Sequence, residues 1–207
     1  RDLISKVFYR GIIDTGCNDD EKRHGLSRYV GKSIVWFDTS ANKKKSQKRT
    51  KGGSYINEEE KRIILEILDD LKSTGELKGL DIGIITGYSG QKELLRKSIK
   101  ATGLDKIASK IDINTLDAFQ GRENDIIIYS TVRTRDSIGF QKEKERVNVA
   151  FSRAKKLLIV CGDKNFFYNF DDQDNKFVEI IDYISEEEEC EIIQCDGGKL
   201  FERESNS

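Results

Sequence analysis

Five short apolar runs recur along the chain: SIVWFD (33–38), DIGIIT (81–86), KIDINT (110–115), DIIIYST (125–131) and KLLIVCGD (156–163). They are rich in Ile and Val and alternate little between apolar and polar, which marks strands buried on both faces, as in a parallel sheet covered by helices. Helical patterns lie between them. Asn57 followed by Glu60 makes a capping-box-like start, after which Ile63, Ile64, Ile67, Leu68 and Leu71 repeat at helical spacing. Ser89 is placed to cap a second helix carrying Leu94, Leu95 and Ile99, residues 142–155 predict a third, and residues 175–189 a fourth. The alternation predicts one three-layer α/β domain around a mostly parallel sheet.

Two segments depart from this rhythm. Residues 41–54, ANKKKSQKRTKGGS, concentrate Lys43, Lys44, Lys45, Lys48, Arg49 and Lys51 without apolar periodicity. They read as a mobile basic loop, either merely solvated or touching phosphate. The C-terminal DGGKLFERESNS (196–207) is polar and glycine-bearing and is expected to fray.

Composition narrows the classes. In 207 residues, 36 Lys and Arg face 37 Asp and Glu, so the formal charge of −1 exerts no global pull on nucleic acid or membrane. Such a partner would have to meet a local patch. The four cysteines, Cys17, Cys161, Cys190 and Cys195, form no CxxC pair, which suggests neither a disulfide framework nor a thiolate zinc site. A reducing, cytoplasmic compartment is the expectation. No apolar stretch approaches the roughly 18 residues of a membrane span, and the N-terminus lacks a signal-peptide layout. Starting at Arg1, with neither Met nor Pro, the chain reads as a piece of something longer.

Candidate chemistry concentrates in two stretches. AFQGREND (118–125) sets Gln120, Gly121, Arg122, Glu123 and Asp125 between two strand-like runs, beyond the end of KIDINT. Ligands of open parallel sheets collect at strand carboxyl ends. Asp117 is placed to cap a short turn, and Gly121 would let backbone approach a phosphate or ribose. A capped turn with a surface ion pair is the alternative. In KERVNVAFSRAKK (144–156) a helical repeat puts Val147, Ala150, Phe151 and Ala154 on one face, with Arg146 and Arg153 almost in line on its edge. Paired guanidiniums suit phosphate capture, unless each is taken up by a carboxylate.

The conjunction is more specific than either stretch. IGIITGYSGQ (82–91), INTLDAFQGRENDIIIYSTVRT (113–134), IGFQKEKERVNVAFSRAKK (138–156) and LLIVCGD (157–163) resemble, in order and spacing, motifs IV, V and VI of the second RecA-like motor domain of superfamily 1 helicases. The subgroup is that of the nonsense-mediated-decay helicase and senataxin. SKVFYRG (5–11) and SYINEEEK (54–61) resemble upstream elements of the same family, so the resemblance covers residues 1–165 with the basic loop inside it. Residues 166–207 remain a C-terminal helix and polar tail packed on, or trailing, the same domain.

The resemblance implies a RecA-like fold and roles position by position. Gly121 and Glu123 match residues that approach the nucleotide's phosphate and ribose, Gln120 and Arg122 their neighbours, and Arg146 and Asn148 positions of motif VI. Arg153 matches the arginine finger, a group able to contribute roughly 10³–10⁵ in rate. Thr86, Tyr88, Ser89, Gln91 and Thr115 match the side that meets single-stranded DNA or RNA, where Lys43, Lys44 and Lys45 would add charge. ATP and Mg2+ are the implied nucleotide and metal, the latter held by a first motor domain upstream, because no GxxxxGK[ST] phosphate loop occurs here. Gly87 stands where the family usually has proline, and Lys144 or a neighbour replaces another; both changes loosen a turn without removing a ligand group. The expectation is half of a motor, inactive as an ATPase by itself. A non-hydrolysing nucleic-acid-binding module on the same fold is the alternative. A self-contained hydrolase is disfavoured, since lone His24 and the EEEE run at 186–189 supply no metal set.

Overall fold

The computed structural model describes residues 3–8, 25–106, 110–119 and 123–201. Six strands, β1 (Ile34–Asp38), β4 (Asp81–Thr86), β5 (Lys110–Thr115), β6 (Asn124–Ser130), β7 (Ala154–Gly162) and β8 (Cys190–Gln194), form one sheet in the order β5-β4-β6-β7-β1-β8. Every neighbouring pair is parallel. Helices α1 (Glu58–Ser73) and α2 (Ser89–Thr102) cover one face; α3 (Lys144–Phe151), α4 (Lys164–Tyr168) and α5 (Phe177–Glu186) cover the other. This is the three-layer α/β architecture that the alternation of runs predicts, in the RecA-like form that the resemblance implies.

The apolar runs are continuous because alternate residues of each strand feed different cores. Val35 and Phe37 join Ile63, Ile64, Ile67 and Leu68 of α1, whereas Ile34 and Trp36 join Phe177 and Ile180 of α5. Trp36 is fully buried, and its indole N–H donates to the Gly162 carbonyl at 3.0 Å.

Four local readings change. First, α3 stops at Phe151, short of the expected residue 155, because Ala154–Lys156 are drawn into β7 by pairing with β6. Second, only half of the capping box forms. Asn57 Oδ1 accepts from the amides of Glu59 and Glu60, but the Glu60 carboxyl turns away, and the Asn57 amide donates to Gln91 instead. Third, α2 begins after Tyr88 with no side-chain cap from its own end; Ser54 Oγ, arriving from outside the helix, accepts from the Gly90 amide at 3.0 Å. Fourth, the basic segment carries regular structure and buried anchors of its own. Strands β2 (Lys48–Arg49) and β3 (Tyr55–Ile56) pair antiparallel, Asn42 and Gln47 are buried, and Gln47 exchanges hydrogen bonds with Thr134.

The C-terminal region adds what periodicity did not reveal. Strand β8 extends the sheet beyond β1, too short and too exposed for its pattern to stand out. Residues expected to fray pack as far as Phe201, which sits edge-on to Phe37 with Arg28 over its face. Cys161, Cys190 and Cys195 are buried free thiols, and among the described residues no helix is long and apolar enough to cross a membrane.

Candidate nucleotide and nucleic-acid interfaces

The candidate residues separate to opposite ends of the sheet. At the carboxyl end, Thr86 is in register with Thr115 on one side and Ser130 on the other. At the amino end, Asn124 pairs with Ala154, so that Glu123 and Arg153, each one residue earlier, stand side by side. The Asn124 amide donates to the Arg153 carbonyl at 3.1 Å, fixing that adjacency. Six steps along β6, from Asn124 to Ser130, separate the ends by about 20 Å at the usual strand rise. AFQGREND therefore begins near one end and finishes at the other, with Leu116–Phe119 forming a single 3-10 turn on the way. Gln120, Gly121 and Arg122 lie outside the described residues.

The crossover is anchored by Phe119, which is fully buried. Gly83 makes room for it: a Cβ there would stand 2.5 Å from the ring's Cζ and 2.6 Å from Ile127 Cδ1. A side chain in the middle of β4 would thus push the segment off the sheet.

The two arginines of motif VI do not stand together. Arg146, in the first turn of α3, lies toward the carboxyl end, with Glu143 at 2.8 Å and Asp117 at 3.9 Å. Arg153 follows the helix, in a turn where its amide donates to the Ala150 carbonyl and its Nε to the Val149 carbonyl. It is half-buried and has no carboxylate partner among the described residues. The expectation of two guanidiniums in line on one helical edge is corrected: the helix ends between them, and carboxylate pairing holds for Arg146 alone. What Arg153 and exposed Glu123 offer together is a cation and a carboxylate of adjoining loops, chemistry that fits a nucleotide's phosphate and ribose. Among the described residues no group of His, Cys, Asp and Glu is arranged to hold a metal ion.

At the carboxyl end several expected contacts turn inward. Gln91 is fully buried, its amide donating to the Asn57 carbonyl and Ser130 Oγ and its Oε1 accepting from the Asn57 amide. It therefore ties α2 to α1 and has no group left for a strand. Thr86 is fully buried too, and Tyr88 is nearly so. Ser89 is exposed and Thr115 half-exposed. Of the three lysines, Lys43 and Lys44 are exposed, whereas Lys45 binds Asp163 at 2.7 Å and donates to the Ser40 carbonyl. Lys44 also borders a groove against α1 with Lys48, Arg62, Leu65 and Leu104. That groove touches neither end of the crossover.

Two features here escaped the sequence reading. The first is Glu60, fully buried, whose carboxyl receives Ser130 Oγ at 2.6 Å, Thr131 Oγ1 at 3.1 Å and the Val132 amide at 2.9 Å. Burial pushes its pKa up to about 8, against the opposing pull of those three donors. The clamp holds Val132 at φ 68°, an unfavourable value for a β-branched residue. The second is a belt of rings and guanidiniums. Arg133, just beyond Val132, covers Tyr55 at 4.1 Å; Tyr55 meets Tyr88 edge-on at 5.6 Å; Tyr88 meets Phe140 at 5.7 Å; and Arg146 covers Phe140 at 5.3 Å. Glu60 had been legible only as a capping residue, and the rings are too scattered in sequence to show as a cluster.

Comparison with known proteins identifies the family. The AAA domain family matches residues 1–165. An uncharacterized ATP-dependent helicase of Methanocaldococcus jannaschii is 38% identical over 144 residues, covering 68% of this chain and 20% of that protein. The regulator of nonsense transcripts 1 homolog of Neurospora crassa is 35% identical over 166 residues, 77% of this chain and 15% of that protein. Helicase SEN1 of Saccharomyces cerevisiae is 38% identical over 169 residues, 76% of this chain and 7% of that protein. The chain thus spans a fifth or less of the length of these curated relatives. With four-fifths of its residues inside the match, and superfamily 1 helicases as its relatives, the chain belongs to the AAA domain family.

Proposed function

We propose that this chain is the second motor domain of an ATP-dependent helicase or translocase that moves on single-stranded DNA or RNA. In this reading Arg153 is the arginine finger, and Glu123 approaches the ribose. Gly121 comes near the phosphates, with Gln120 and Arg122 beside it. Thr115 and Ser89 meet the strand. The observation that carries the reading is the register that makes Glu123 and Arg153 neighbours although thirty residues separate them in sequence. A partly buried guanidinium with no carboxylate of its own among the described residues supports a role toward an anion supplied from outside.

Hydrolysis of ATP asks the protein chiefly for positioning and charge neutralisation. Arg153, held by its own backbone and by the Val149 carbonyl, is oriented before any ligand arrives. Mg2+ would be held by residues of the first motor domain and would neutralise phosphate charge. With no phosphate loop in its sequence, this chain alone is expected to turn over no ATP.

The test is nucleotide binding and ATPase activity of the full-length protein, with and without single strands. Arg153→Ala should leave nucleotide affinity near wild type and slow hydrolysis by a factor on the order of 10³, because a finger acts on charge that develops in the transition state. Glu123→Ala should weaken nucleotide binding. Loss of affinity with Arg153→Ala and an unchanged rate per bound nucleotide would reverse the assignment. Steady ATP turnover by the 207-residue chain, abolished by Arg153→Ala, would refute the need for an upstream half.

A further inference from the structure

We propose that Asp125 and Lys156 are positioning residues for Arg153, their ion pair holding the β-bulge that brings Arg153 level with Glu123. The inference rests on the reading of Arg153 as the finger and deepens it. At the amino end of the sheet, β6 and β7 pair at Asn124 with Ala154 and next at Ile126 with Leu157. Asp125 therefore opposes two residues, Lys155 and Lys156. The extra residue breaks the alternation of faces. Ile126 joins the core beneath α1, so a regular strand would put Asn124 on that side too. Asn124 instead shares the other face with Phe119 and Ile127: a Cβ at Gly83 would stand 3.0 Å from its Oδ1 and 2.6 Å from Ile127 Cδ1.

Asp125 staples this irregularity from both sides. Its Oδ1 binds Lys156 Nζ at 3.2 Å across to β7, and its Oδ2 accepts from the Asp81 amide at 3.2 Å across to β4. Side-chain contacts thus stand where a bulge interrupts the ladder. Register is what they protect. Were the pairing of Ile126 with Leu157 to continue regularly, Asp125 would oppose Lys156 alone and Glu123 would oppose Ala154. Arg153 would then lie one residue beyond Glu123, about 3.3 Å further along the strand, with its side chain on the opposite face. Both members of the pair are partly exposed, and such a pair adds little to stability. What it fixes is the strand that Arg153 enters, whereas the other supports of Arg153, the Val149 and Ala150 carbonyls, belong to α3.

ATP hydrolysis by the full-length protein in the presence of single strands, with kcat and nucleotide affinity measured separately, tests the proposal. Lys156→Gln removes the cation, and Asp125→Asn keeps an acceptor for the Asp81 amide while giving up the charge. Each should lower kcat by about 10- to 100-fold, the scale of a misplacement of about 1 Å at a reacting group, and leave nucleotide affinity near wild type. Lys156→Arg, which keeps the pair, should hold most of the rate. In an Arg153→Ala background neither change should slow hydrolysis further, because the effect of residues that act as a unit is lost only once. Wild-type kcat in both variants, or the same fold-loss with and without Arg153, would overturn this inference alone. Hydrolysis at the wild-type rate in Arg153→Ala would overturn the finger reading with it.

Discussion

Replacing Glu60 by Gln tests the buried clamp, through the pH dependence of stability. The folded carboxyl holds its proton up to about pH 8, because burial outweighs its donors, while an unfolded glutamate titrates near 4.5. Between those values the native chain binds one proton more than the unfolded chain. Stability therefore falls as pH rises, by as much as tenfold in the folding constant per pH unit, and levels off above the folded value. The charge nearest to the carboxyl in its effect is Asp163, itself paired with Lys45, and it acts in the same direction.

The glutamine side chain of the Glu60→Gln variant would keep the shape and remain neutral. Its oxygen can accept from the Val132 amide, but its NH2 meets Ser130 Oγ, which already accepts from Gln91, so the exchange should cost about 1 kcal/mol at low pH. Glu60→Ala instead orphans the Val132 amide and opens a void, for a cost of about 2–4 kcal/mol. Trp36, the only tryptophan and fully buried, reports unfolding in urea by its fluorescence. Stability of the wild type relative to Glu60→Gln should decline from pH 5 to pH 8 and then flatten. A difference that stays level, or rises with pH, would mean that Glu60 is ionised in the fold and that the three donors outweigh burial.

Two further outcomes follow from the same geometry. Gly83→Ala should destabilise by about 1–3 kcal/mol, read from the urea midpoint, since its Cβ would overlap Phe119 and Ile127; an unchanged midpoint would show that Phe119 does not anchor the crossover. Replacing Lys43 and Lys44 by Gln should lower the slope of log affinity against log salt by about one per lost phosphate contact, while Lys45→Gln should act mainly on stability by unpairing buried Asp163; equal slopes in all variants would leave the segment merely solvated.

The sheet was legible because five strands carry apolar residues on both faces, so runs such as DIGIIT read as strands covered by helices on either side. Strand β8 was not, because an edge strand of CEIIQ needs few apolar positions and its partner β1 lies over 150 residues earlier. The basic segment misled for a related reason. Lys43, Lys44, Lys48 and Lys51 are exposed, while Lys45 turns in to Asp163, and Asn42 and Gln47, polar residues that no hydrophobicity pattern flags, are buried. At the site, Glu123 and Arg153 were named from sequence, but their adjacency depends on the Asn124–Ala154 register, a tertiary fact. Gln91 shows the converse: a motif position of the expected type whose hydrogen bonds are all spent inside the fold.

The separation of the two ends constrains how they can communicate. In the proposed reading a nucleotide at Glu123 and Arg153 would stand about 20 Å, along β6, from a strand at Thr115, too far for either ligand to act on the other by contact or by charge screened over that distance. Two covalent routes run between them. One is the crossover after β5, from Thr115 to Glu123, whose middle is pinned by Leu116 and Phe119; the other is α3, from Arg146 to the turn at Arg153. Both lie on the same face of the sheet and share one core with Ile85, Ile127 and Val147. A displacement of either at the nucleotide end must then move a packed unit rather than a loose loop, because close-packed side chains shift together or not at all. On the opposite face, Glu60 and Gln91 tie Ser130, at the carboxyl end of β6, to α1 and α2. In the proposed reading, relative motion between the crossover side and the clamped side would be the displacement that carries nucleotide state to Thr115.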